Sequence, residues 1–117
     1  MNLTENMGSY YRLSIQCDIE KKKEIDIILG ESNVDPELGW NLIIDEESPE
    51  FVHALNIFIN LMEDNLLKLE NIGISIGMIT FWYMYEYEQQ CNMEFWPDIT
   101  KRIGKLGIIL CVSCWEK

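Results

Sequence analysis

The chain has 117 residues, of which 48% are hydrophobic and 25% charged, the proportions of a folded domain rather than of a disordered tail. This length fits one domain, so we expect residues 1–117 to form a single folded unit. Twenty acidic against nine basic side chains give a formal net charge of −11. Such a charge repels nucleic-acid phosphates and anionic lipid headgroups, and it favours a basic protein as the partner.

The start of the chain, MNLTENMGS, lacks the cationic beginning and apolar centre of a secretory signal. No stretch approaches the roughly 20 apolar residues that cross a bilayer. We therefore expect a cytoplasmic protein. In that reducing compartment the four cysteines, Cys17, Cys91, Cys111 and Cys114, are expected to be free thiols that serve as small core residues.

The first segment with a clear period is YYRLSIQC, in which apolar and polar residues alternate from Tyr10 to Cys17. Alternation of this kind predicts a half-buried strand. A short helix is predicted next, with Asp18 as its N-cap and Gly30 as its C-terminal stop. The lysines inside this helix are interpreted as a solvated face, because three bases in an acidic domain do not make a nucleic-acid site.

The second strand and second helix are predicted from WNLIIDEESPE and the residues that follow it. Trp40, Leu42 and Ile44 are expected on the core side of the strand. Ser48 as N-cap followed by Pro49 is a strong helix start. Apolar residues at spacings of three and four then predict about five turns of amphipathic helix: Phe51, Leu55, Phe58, Met62 and Leu66.

The segment GISIGMITFWYMYEYE, residues 73–88, has the β-branched and aromatic density of a long strand. Both of its faces are apolar, so it is either a central strand covered on both sides, which we prefer, or a strand with an exposed aromatic stripe suited to binding a protein. A short strand over residues 91–95, a helix over residues 97–107 and a last strand over residues 108–115 are predicted to follow.

This order of elements predicts an α+β fold, a mixed α/β sandwich with one sheet of about 4–5 strands and helices packed mainly on one face. The strand order of the sheet does not follow from the sequence.

The spacing Cys111-Val-Ser-Cys114 raises the possibility of a metal or redox site. A redox pair needs a helix after its first thiol, and only three residues follow Cys114. In a strand, residues three apart point to opposite faces, so the two thiols cannot jointly hold zinc. His53 lies inside the predicted helix, where a surface histidine is commoner than a catalytic one. We expect no metal, no cofactor and no catalytic residue.

Nucleotide-binding, phosphate-binding and hydrolase motifs are all absent from the sequence, so we do not expect an enzyme. The acidic turn that begins at Asp45 lacks the alternating ligands and central glycine of a calcium-binding loop. It is interpreted either as a solvated turn or as an electrostatic docking site.

The C-terminal half resembles immunity proteins of bacterial polymorphic toxin systems, including contact-dependent growth inhibition. Three features carry this resemblance: the aromatic strand ISIGMITFWYMYEYE, the entry QQCNMEF to a helix, and the final strand LGIILCVSCW. The beginning YYRLSI fits the same pattern more loosely. The resemblance implies a cytoplasmic protein that binds a cognate toxin, often a nuclease, and blocks its active site or substrate groove.

Such a toxin tends to be basic around its active site, and a strongly acidic inhibitor would be steered to it. We predict that acidic and aromatic residues bind the toxin: Asp45, Glu46, Glu47, Glu50, Trp82, Tyr83, Tyr85, Glu86, Tyr87 and Glu88. The protein is expected to be a monomer or a weak dimer. Two alternatives stay open: a small acidic enzyme that uses Glu86 or Glu88 beside Tyr85 or His53, and a regulatory domain that self-associates through the aromatic strand.

Overall fold

A computed structural model describes residues 8–34, 39–89 and 92–117. Four strands and three helices alternate along the chain: β1 (Tyr10–Ile15), α1 (Ile19–Leu29), β2 (Trp40–Asp45), α2 (Ala54–Asn71), β3 (Ile79–Tyr87), α3 (Pro97–Leu106) and β4 (Ile109–Glu116). Short 3-10 turns precede α2 and β3, at Phe51–His53 and Ile76–Met78. The strands form one mixed sheet, so the predicted α+β class with a single sheet is confirmed.

The strand order is β2-β1-β3-β4, with β1 at the centre next to β3. Strand β1 is antiparallel to both β2 and β3, whereas β3 and β4 are parallel. The parallel pair is possible because α3 connects β3 to β4, as a crossover between parallel strands requires. Because β2 and β3 both run against β1, the C-terminal ends of β2, β3 and β4 meet at the same end of the sheet.

The helices pack on one face of the sheet, as predicted, and the core lies between them. Leu13 of β1 and Phe81 of β3 are paired in register and completely buried, and Phe81 contacts the ring of Phe58 on α2 at 5.8 Å between centroids. Ile25 of α1 and Ile103 of α3 complete this cluster from the other two helices. Alternation in the strands and spacings of three and four in the helices therefore identify which side of each element faces the core.

The ends of α1 and α3 follow the predicted signals. Asp18 caps α1, because its side chain accepts a hydrogen bond from the Lys21 amide at 2.8 Å. Gly107 ends α3 in the left-handed conformation, with φ of 78°, where a glycine carries no Cβ penalty. Helix α2 begins later than predicted: Ser48 accepts a hydrogen bond from the Glu50 amide in a turn, and regular α-helix begins at Ala54.

Three predicted strands are corrected by the structure. Residues 92–95 form no strand, and Cys91 lies outside the described residues. Strand β1 ends at Ile15, two residues before the predicted end. Strand β3 begins at Ile79 because the preceding residues, 76–78, form a 3-10 turn, and high β-branched density alone does not prevent such a turn.

Within the described ranges, no helix is both long and apolar enough to cross a membrane.

Candidate partner-binding surface at the acidic end of the sheet

The two acidic segments predicted from the sequence lie side by side at one end of the sheet. The first follows β2, at residues 45–50, and the second closes β3, at residues 86–88. Ser9 connects them: its carbonyl accepts from the Glu46 amide at 3.2 Å, and its hydroxyl accepts from the Glu86 amide at 3.0 Å. Segments about forty residues apart in the chain thus form one surface, which we call the acidic end.

A shallow depression of about 320 Å³ opens at the acidic end. It is lined by Glu46, Tyr85, Glu86, Glu88, Gln89 and Lys117. Four of these residues belong to the set predicted from the sequence, and the described structure brings them together from β3 and the turn after β2. The residues that the sequence did not indicate are Gln89 and Lys117, which complete the rim.

The negative charge of the acidic end acts on the side chain of Lys117. Its ammonium lies 2.9 Å from Glu88 Oε1. The hydrogen bond to Glu88 raises the pKa of Lys117, and the negative charges of Glu88, Glu86 and Glu46 raise it further. A cation placed here is therefore stabilised by carboxylates from both acidic segments, which is the property needed to attract a basic partner.

Two of the predicted carboxylates also support the local fold. Asp45 Oδ1 accepts from the amides of Glu47 and Ser48, at 3.0 and 3.1 Å, and so holds the turn after β2. Glu86 Oε2 accepts from the indole nitrogen of Trp115 at 3.2 Å. Their substitution would disturb structure as well as charge, which makes them poor probes of binding.

The other acidic residues of the turn are better probes of a docking role. Glu46, Glu47 and Glu50 are exposed, and no side-chain hydrogen bond or ion pair to another described residue engages their carboxylates. They keep their charge available to solvent. Their substitution should alter the electrostatic field with little effect on the fold.

An aromatic row runs along β3 towards the acidic end, on the face that the helices cover. Tyr83 stacks on Tyr11 of β1 at 4.3 Å between centroids, Tyr85 follows at 5.5 Å, and Tyr87 stacks on Tyr85 at 6.4 Å. Ile79 and Phe81, earlier in β3, are buried, whereas Tyr87 is 37% exposed. Strand β3 is therefore covered in its first half and becomes accessible where the aromatic row meets the acidic end.

The phenol of Tyr11 lies against this row and titrates far above its ordinary range. Burial, the neighbouring charge of Tyr83 and a hydrogen bond with Tyr83 raise the pKa of Tyr11 to about 12. Removing the proton would place a phenolate among rings that cannot solvate it. The first part of the row thus belongs to the packed structure, and its exposed end is the part available to a partner.

Trp82 lies on the opposite face of the sheet from the aromatic row. Its neighbours in register are Arg12 on β1 and Cys111 on β4, and the Arg12 guanidinium lies 5.3 Å from the centre of its ring. This is a cation–π contact. The predicted aromatic residues are thus divided between two faces, and Trp82 cannot act in one contact patch with Tyr83 and Tyr85.

Beside the row, a cavity of about 160 Å³ lies between the start of α2 and the residues before α3. Tyr11 and Phe95 line its inner part, and Val52 and Trp96 at its rim are 79% and 69% exposed. Val52 and Trp96 are not among the residues predicted from the sequence to bind a partner. Trp96 is the N-cap residue of α3, and no pattern in the sequence indicated that its ring would be exposed.

The cysteines do not form a site in the described chain. Cys111 pairs with Trp82 and Cys114 with Tyr85, so the two thiols point to opposite faces, as predicted. Burial raises the pKa of Cys17, which is half-buried. The expectation that all cysteines fill the core is wrong for Cys114, which is exposed because β4 is an edge strand. Cys91 lies outside the described residues.

Among the residues placed by the structure, no group of three histidine, cysteine or acidic side chains is arranged to hold a metal. His53 is exposed at the beginning of α2. It does not line the depression that contains Glu86, Glu88 and Tyr85, which the enzyme hypothesis would combine with it.

A comparison with protein-family models finds no match, and searches of curated proteins and of solved structures find none either.

Proposed function

We propose that this protein is an immunity protein that binds a basic toxin in the cytoplasm and neutralises it by covering its active site or substrate groove. The observation that supports this proposal most strongly is the meeting of two separate acidic segments at one end of the sheet, with an aromatic row that becomes accessible at the same place. A nuclease is the expected class of toxin, because its active site must attract phosphate and is therefore basic.

The acidic residues would act mainly on the rate of encounter. Exposed charges at Glu46, Glu47 and Glu50 extend beyond the strands and add to a net charge of −11. Charge complementarity of this kind can raise association rates by about 10- to 1000-fold at low ionic strength. Carboxylates that occupy a phosphate-binding groove also compete directly with a nucleic-acid substrate.

The aromatic row would determine how long the complex lasts. Tyr85 and Tyr87 are stacked on each other, so their rings are ordered before a partner arrives. Rigid aromatic side chains bury large areas at a small entropic cost and are enriched among residues that dominate binding energies. Tyr87 is the expected central contact because it is the most exposed ring of the row.

The proposal is tested by co-expression with the toxin domain encoded next to this gene. The full chain should restore survival of the host and co-purify with the toxin domain. The double variant E46K/E47K should lose at least part of this protection. Its matched control is D64K/E70K, which makes the same charge change on the exposed side of α2.

Failure of both double variants would mean that total charge, rather than the acidic end, governs protection. Survival without a co-purified complex would contradict direct neutralisation.

A further inference from the structure

The two edges of the sheet differ in whether their backbone is already paired. At the β2 edge, side chains of the loop after α1 form the hydrogen bonds to the β2 backbone that a neighbouring strand would form. Asn33 Nδ2 donates to the Ile43 carbonyl and Asn33 Oδ1 accepts from the Ile43 amide, both at 2.9 Å. Ser32 Oγ donates to the Asn41 carbonyl at 2.7 Å and accepts from its amide at 3.1 Å. This edge is closed to another strand.

Among the residues that the structure describes, none protects the β4 edge in this way. Strand β4 is eight residues long, contains neither proline nor glycine, and has β3 as its neighbour on one side. No described residue forms a ladder with its other side. Ile109 and Val112 of this strand are 63% and 38% exposed. A long edge strand with accessible apolar residues is a site for strand addition, because its outward amides and carbonyls are free to pair with an extended segment.

The charge of the β4 edge favours a second copy of this chain over a basic partner as its occupant. Residues 109–117 carry one acid, Glu116, and one base, Lys117, so this segment is neutral within a chain of net charge −11. A basic partner is drawn to the acidic end and gains little electrostatic energy at a neutral edge. Two copies, in contrast, meet here without bringing their carboxylate clusters together.

In a two-fold pair formed through β4, the two acidic ends also lie far apart. Antiparallel pairing of β4 with its copy directs the two acidic ends to opposite ends of the joined sheet. Eight residues of strand span about 26 Å at roughly 3.3 Å per residue. This separation exceeds the Debye length of about 8 Å at physiological ionic strength, so repulsion between the acidic ends is largely screened.

We infer that the protein forms a two-fold dimer through β4, with one continuous sheet of eight strands. Val112 lies near the middle of β4 and therefore near the two-fold axis. Both acidic ends remain accessible, so the dimer binds two partner molecules. The binding of two partner molecules rests on the proposed function, whereas the dimer itself follows from the two edges and from the charge of residues 109–117.

Sedimentation velocity over a concentration series tests the dimer. The full chain should show a mass of twice 13.8 kDa at high concentration. Val112→Lys places two like charges near the axis and should raise the dimer dissociation constant at least about tenfold, equivalent to about 1.4 kcal/mol. Ile27→Lys, a matched control on α1 where the isoleucine is 86% exposed, should leave the dissociation constant unchanged.

A charge swap keeps the test independent of folding defects. Val112→Lys and Val112→Glu should each weaken the homodimer, and their mixture should form a heterodimer, which requires both variants to be folded. Amide hydrogen exchange of the native chain gives a second measurement: protection of β4 should rise with protein concentration, whereas that of β2 should not. A monomer at all concentrations, or a dimer in which β4 protection is independent of concentration, would overturn the inference.

Discussion

The two ends of the same sheet have opposite characters. At one end Ile15 of β1 pairs with Trp40 of β2 and Ile79 of β3, and all three residues are at most 1% exposed. At the other end Tyr10 pairs with Asp45 and Met84, and charged residues continue beyond the strands. The end at Ile15 contributes to the stability of the fold, whereas the acidic end presents exposed residues that a partner could contact.

The helices cause this difference. Helix α1 packs over the apolar end, where the indole nitrogen of Trp40 donates to the Gly30 carbonyl at 3.0 Å. Helix α2 runs from the acidic end towards the apolar end, and its last turn is followed by the buried Ile74. At the acidic end Tyr87 and the acidic residues of the turn after β2 are exposed, so packing constrains them less.

The largest expected effect is at the covered part of the sheet. Phe81→Ala removes a completely buried ring that contacts Phe58, and it should lower the free energy of unfolding by about 3–5 kcal/mol. Tyr87→Ala, on the same strand but 37% exposed, should cost much less. Urea denaturation of both variants measures the contrast, and equal losses would contradict the division of β3 into packed and accessible halves.

A second, smaller effect is expected where the β2 edge is closed. Asn33→Ala removes both side-chain hydrogen bonds to Ile43, one of which satisfies a buried residue's amide. The cost should be about 1–3 kcal/mol, with faster hydrogen exchange of the Ile43 amide. Glu31→Ala in the same loop is the control. Unchanged exchange at Ile43 in the Asn33 variant would show that the loop does not protect this edge.

The packed start of the aromatic row should make the stability of the folded chain depend on pH, through Tyr11. Tyr11 has a pKa of about 12 in the folded chain, above the ordinary value near 10, so the unfolded chain loses this proton first as pH rises. Stability should therefore fall between about pH 10 and 12, by no more than about 1–2 kcal/mol because solvent screens a half-buried phenol. Tyr11→Phe should flatten the decline, and an unchanged slope would refute this assignment.

Much of the fold was predictable because its signals are local. Asp18 and Gly107 depend on neighbours a few residues away, and both cap their helices where the sequence placed them. The alternation through Tyr10–Cys17 predicted β1 itself but not its end at Ile15. The short strand predicted over residues 91–95 was wrong for the described residues 92–95. A strand requires a partner in the sheet, and residues 92–95 pair with none of the four strands.

In the candidate site, too, single segments could be predicted from the sequence, whereas contacts between distant segments could not. The acidic turn at Asp45 and the acidic end of β3 were identifiable by composition, but their proximity depends on the strand order. The link through Ser9 and the cation–π pair of Arg12 with Trp82 also depend on register between distant strands. The alternation within β3 already indicates that Trp82 lies on the face opposite to Tyr83 and Tyr85, and only its partner Arg12 depends on the register.

The central proposal is that the acidic end guides a basic partner, and stopped-flow association with the toxin domain that the proposed function expects beside this gene tests it most directly. E46K/E47K and D64K/E70K both add four charge units, from −11 to −7, so a difference between them reports position rather than total charge. Both should retain the stability of the native chain within about 0.5 kcal/mol. E46K/E47K alone should slow association and flatten its dependence on ionic strength; equal association rates for the two variants would contradict the claim.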